Sequence, residues 1–191
     1  MKYVPRIEKD EVEPETKEGW NSTSYDLAIF HINAHAENVF VKWRAFNGTA
    51  WKQESDEMPK ALKEIAVVHA SVLSDSSYEW GNHGSQMLLE GSSQEQLDAL
   101  VVERNPKSDL FDATEQLVLQ FTDEMVKDAR PTEATLTAMS EQFTNKDIVK
   151  LTYLICIYMM NSRLANIGGL VEGDDEDYGM FHLGRKTKDK D

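Results

Sequence analysis

Asp75-Ser-Ser-Tyr-Glu-Trp-Gly-Asn-His-Gly-Ser-Gln-Met-Leu-Leu-Glu-Gly91 gathers the chemically capable side chains of this 191-residue chain. It reads as one helix. Asp75 or Ser76 offers an oxygen to the first free amides, and Gly91 suits the left-handed residue that closes a helix. Glu79 and His83 stand four apart, so a helix stacks them on one face within touching distance. A carboxylate beside an imidazole fixes the ring's tautomer and suits it to general acid or base work. A plain structural alternative uses the same residues: Ser76 and Glu79 have the spacing of a capping box. Tyr78 and Trp80 flank the glutamate. Gly81 and Gly84 each cost about 1 kcal/mol in a helix interior, which points to close packing against a neighbouring helix or a ligand.

Upstream, Pro59 opens a second helix after Ser55 and Asp56. Its apolar residues, from Leu62 through Ile65, Val68 and Val72 to Leu73, surround almost the whole circumference, so it is expected at the centre of the fold. Glu64 lies on it. A carboxylate on a buried helix needs a partner or a raised pKa, and His83 of the next helix would be such a partner; a lysine or solvent would serve equally. His69 shares a face with Leu62, Ile65 and Leu73 and reads as a core histidine.

Ser76, Glu79 and His83 follow Glu64 by twelve, fifteen and nineteen residues. At those intervals the chain resembles the carboxymuconolactone decarboxylase and alkyl hydroperoxidase D superfamily, whose peroxidase branch carries Glu and then Cys-x-x-Cys-x-x-x-His. Ser76 and Glu79 stand where the two cysteines would be; Glu64 and His83 match by identity. The Tyr-Glu-Trp-x-x-His form resembles decarboxylase-like members that work without a thiol pair. The likeness runs from about Phe40 to Val171 and includes a late helix with Tyr158 followed by Arg163.

The resemblance implies an all-α bundle built around an antiparallel helical hairpin, assembled as a homo-oligomer with sites near subunit contacts. It also implies a cofactor-free decarboxylase or lyase acting on a small carboxylated lactone or cyclic acid. His83 would deliver or remove a proton, Glu79 or Glu64 would orient it, and Ser76, Tyr78 and Trp80 would line the pocket. Arg44 or Arg163 would hold the substrate carboxylate, which a chain this acidic otherwise repels. A proton-transfer isomerase or hydratase has the same requirements. Two other classes stay open: a peroxidase, weakened by the missing thiols, and a non-catalytic binding or assembly protein with the same fold.

Charge and cysteine usage narrow the field. Thirty-four acidic residues against twenty Lys and Arg give a net charge of −14, which argues against nucleic acid or an anionic membrane surface as partner. The chain has one cysteine, Cys156, which excludes an internal disulfide and a two-thiol redox cycle within one chain. In the apolar run of residues 151–160 it reads as a small buried packing residue. No basic-then-apolar leader opens the sequence and no run reaches the roughly 18 apolar residues of a membrane span, so a cytoplasmic protein is expected. His31 and His35 lack a third ligand of convincing spacing and read as ordinary helix histidines, with no metal expected.

One domain fits the length. An extended arm is expected over residues 1–20, the helical domain over 21–171 and a charged, solvated tail over 172–191. Within the domain, apolar periodicity predicts helices over residues 22–35, 37–52 and 114–127. A short helix is expected after Ser92 or Ser93, another from Pro131, and a long one over 146–166 that Gly168 and Gly169 stop. No strand alternation is present.

Overall fold

The computed structural model describes residues 3–22, 25–54 and 57–175, and every regular element among them is helical. In chain order these are α1 (Pro14–Asn21), α2 (Ala28–Asn33) running into a 3-10 turn (Ala34–Ala36), α3 (Glu37–Trp51), α4 (Lys60–Leu73) and α5 (Ser77–Leu89). Then follow α6 (Gln94–Val101), α7 (Ala113–Lys127), α8 (Glu133–Gln142) and α9 (Asn145–Gly168).

Central placement of α4 follows from its all-round apolar surface: Leu62 through Val72 are all buried, including Lys63, Glu64 and His69. It packs on α5, α7 and α9. Only Ser74 to Ser76 separate α4 from α5, so the two form a helical hairpin. Gly84 lets α6 close on that hairpin; a Cβ there would sit 3.1 Å from Leu97. Later helices begin as their local sequences dictate. Ser93, Asp112 and Thr144 each form a full capping box, and Gly169 ends α9 in the left-handed region at φ 67°.

Four expectations are corrected. The arm is not extended throughout, because Pro14 starts α1 and Trp20 must be buried: its indole donates to Asp26 at 2.6 Å and packs edge-on against Phe30 and His31. The helix expected over 22–35 begins only at Ala28. Cys156 is exposed, not buried, because it falls on the outward face of α9. The acidic tail does not start as solvated chain: Glu172 lies against Gly81, and Asp175 is 2% exposed. The rest of that tail, together with the starting residues Ser55 and Asp56, falls outside the described residues.

The three histidines expected to be structural all have packing roles. His31 Nδ1–H donates to the Ile7 carbonyl at 2.8 Å and His35 Nε2–H to that of Pro5 at 2.7 Å, so both tie the N-terminal segment down. His69 meets Asp123 at 3.1 Å, and burial pushes its pKa below the ordinary value against the pull of that carboxylate.

A buried charge cluster joins the start of α4 to α9. Glu57 and Lys63 have side chains 1% exposed and meet at 3.2 Å, while Lys150 reaches Glu57 at 2.6 Å. Lys150, then Lys63 and Lys146, hold the Glu57 carboxyl at about 2 despite its burial. Its folded pKa lies below the ordinary one, so its contribution is complete above about pH 4.5 and is lost as pH falls towards 2. Thermal melts between pH 6 and 3 should therefore drop more steeply for the wild type than for Glu57→Gln; parallel curves would remove this assignment.

Candidate functional site

The hairpin of α4 and α5 opens on one side onto a cavity of about 250 Å³. Glu64 enters from α4 and His83 from α5, and the ring's Nδ1–H donates to Glu64 Oε2 at 2.7 Å. Two further elements fix the imidazole plane. Trp51, the last residue of α3, stacks on it at 5.5 Å and 12°, and Tyr158 of α9 meets it edge-on at 4.4 Å. The indole of Trp51 donates to the Tyr158 hydroxyl at 2.9 Å, locking both walls. A histidine held this way has one nitrogen committed to a carboxylate, the arrangement that orients the other for proton exchange.

Glu79 lies one turn before His83 on the same face. It is 4% exposed, and its Oε1 has no hydrogen-bond partner among the described residues. Burial raises its pKa to about 7, with His83 pulling it down and the Asp175 carboxylate pushing it further up. At neutral pH the group thus exists in both protonation states, as a proton carrier requires. Burial, then the charges of Glu79 and Glu64, pushes the Tyr158 phenol well above its ordinary value, so it stays protonated.

The cation at this site comes from α3. Arg44 lines the cavity with its guanidinium 4.4 Å over the Phe30 ring and 5.5 Å from that of Tyr25. Its buried Nε has no hydrogen-bond partner among the described residues. Lys60 borders the same space but is engaged with Glu90 at 2.7 Å. A second hollow of about 650 Å³ adjoins the first and shares Tyr25, Arg44, Gly48 and Trp51 with it.

Of the residues singled out in sequence, Glu64, Glu79, His83, Tyr78 and Arg44 line this one cavity. Three do not. Ser76 is wholly buried in the turn between α4 and α5, its hydroxyl without a hydrogen-bond partner among the described residues and making no cap bond, so the capping box with Glu79 does not form. Trp80 packs against the core cluster that includes Ile65 and Leu100. One residue along a helix rotates a side chain by about 100°, which carries Trp80 off the face shared by Glu79 and His83. Arg163 is exposed on α9, where its guanidinium bends back to the carbonyl of Met159. Sequence reasoning missed Trp51, Asn82 and Asp175. An aromatic closing the α3 periodicity was the available sign of Trp51; nothing local marked the other two.

No model of a known protein family matches the chain, and no curated protein matches it. A solved structure does. The crystal structure of an alkylhydroperoxidase AhpD core, an uncharacterized peroxidase-related protein from Ralstonia eutropha JMP134, superposes with a TM-score of 0.77 at 19% identity. The match covers 96% of this chain and 97% of that one. The chain therefore has the all-helical fold of AhpD-like proteins.

Proposed function

We propose that the cavity is the active site of a cofactor-free enzyme that moves protons on a small carboxylated lactone or cyclic acid, with decarboxylation as the reaction. The observation that carries this is the convergence on one cavity of a carboxylate-held imidazole, His83, and a carboxyl poised near neutrality, Glu79. Arg44 would receive a second carboxylate of the substrate, the one that is retained, and the aromatic walls would keep water away from the reacting carbon.

The step balances without an oxidant. The bond from carbon to the departing carboxylate breaks, its electron pair stays on the carbon as an enolate, and carbon dioxide leaves. Protonated Glu79 or the His83 imidazolium supplies the proton that forms the new carbon–hydrogen bond, and solvent returns it to the site. Glu64 holds the ring and is itself a positioning residue.

Incubating the protein in deuterated water with a panel of carboxylated lactones and cyclic acids tests the proposal by mass spectrometry. The expected product has lost carbon dioxide and gained one solvent deuteron. Deuteron exchange without loss of carbon dioxide would move the assignment to an isomerase. No change on any member that depends on His83 would end it.

The neighbour's description as peroxidase-related raises the thiol alternative. Cys156, the one cysteine of the chain, is exposed on α9 and does not line the cavity. The positions that would carry a thiol pair hold Ser76 and Glu79, which cannot form a disulfide.

A further inference from the structure

We propose that Asp175 is a positioning residue of this site: its buried carboxylate ties the start of α2 to Asn82 of α5 and so sets the wall that Glu79 faces. The role presupposes the acid–base reading of the cavity.

Asp175 is 2% exposed and both its oxygens are committed across the fold. Oδ1 accepts the Ala28 amide at 2.7 Å and Oδ2 accepts Asn82 Nδ2–H at 2.8 Å. Leu27 precedes α2 and has no side-chain oxygen with which to cap it, so the first two amides are satisfied from afar. Asp175 takes Ala28, and the Tyr78 hydroxyl accepts Ile29 N–H at 3.2 Å. Both elements border the cavity, α2 through Ile29 and Phe30 and α5 through Tyr78, Glu79, Asn82 and His83.

The segment after α9 is built to reach this point. Gly169 turns the chain, Leu170 is buried, and Asp174 closes the next turn onto Val171 N–H at 2.9 Å while pairing with Arg6 at 3.1 Å. Glu172 crosses α5 where Gly81 leaves room; a Cβ there would stand 2.7 Å from its Cγ. The glycine therefore has a use unconnected with ligand. The titratable and charged groups that share the cavity with Glu79 or act on it are Tyr78 and His83 on α5, Glu64 and Lys60 on α4, Arg44 on α3, Tyr158 on α9, Tyr25 before α2 and Asp175 itself. Asp175 is the contribution of the C-terminal segment, and its negative charge opposes ionisation of Glu79.

The full chain carrying Asp175→Ala or Asp175→Asn tests this. Amide exchange of Ala28 and Ile29 and titration of the Glu79 carboxyl by carbon NMR are followed beside turnover. In the alanine variant exchange should quicken about tenfold, the size of a lost helix cap, and kcat should fall. Asparagine keeps one acceptor for Ala28, and Asn82 can turn its amide to match. That variant should hold exchange near wild type yet lower the pH at which Glu79 titrates. Unchanged exchange and titration in the alanine variant overturn the proposal whether or not the enzyme turns over. Altered exchange and titration in these variants, with a wild type that acts on no substrate, would support the tie between α2 and α5 and sink the decarboxylase reading instead.

Discussion

Replacing His83 with alanine should lower turnover about 10²- to 10⁴-fold, the range that a positioned acid or base supplies, while the protein stays folded. His83 touches three elements through its ring but lies at a cavity edge, 8% exposed, so the space it vacates opens onto solvent instead of leaving a sealed void. Glu64 loses a charge-assisted partner at 2.7 Å and retains Lys60 at 4.0 Å, close enough to compensate part of a buried carboxylate. Added imidazole should enter the gap between Trp51 and Tyr158 and restore part of the rate. Glu64→Gln should cost less than the histidine change, and the double variant little more than His83→Ala alone, because the two act as one unit. Initial rates of the four proteins on the best substrate of the panel decide it. A His83→Ala enzyme running at the wild-type rate would show that the ring serves packing only.

Periodicity made one rod legible: the all-round apolar surface of α4 marked it as central. The second rod against it, with both groups inward, was implied by the resemblance at the Glu64-to-His83 interval, and the structure brings the two side chains together there. Arg44 was picked out by charge balance alone. What went unread depends on direction and distance. Trp80 and Arg163 have suitable chemistry, but the rotation of their helices turns one to the core and leaves the other on the surface. Asp175 was hidden for a different reason. In a run of Glu172, Asp174 and Asp175 around Gly173, composition reads as solvated chain, and only the fold shows that one carboxylate has a partner 147 positions away. Long-range capping leaves no local signature.

Glu79→Gln should make the protein more stable at alkaline pH and poorer as a catalyst, a pair of effects that a merely structural glutamate would not give. The folded carboxyl titrates at about 7, above the ordinary 4.5. Between those values the folded chain holds a proton that the unfolded chain has released, so stability owed to Glu79 falls as pH rises through that window and levels off above it. The pKa difference corresponds to about 3 kcal/mol at most. Glutamine mimics the protonated acid without the penalty of ionising in a buried site, although its amide also lacks a ready partner, which costs part of the gain. The net is about 1–3 kcal/mol at pH 8, or on the order of 2–12 °C in melting temperature for a chain of this size, shrinking to nothing near pH 4.5. Activity should move the other way: glutamine cannot give up a proton, so the rate drops about 10²-fold or more and the limb of the pH–rate profile near 7 disappears. Wild-type stability at this residue is thus lower than the fold allows, as expected where a group is kept ionisable for chemistry. Identical melting of the two proteins at pH 8 would mean that Glu79 is not held near neutrality, and with that the proton carrier of the proposed reaction would be lost.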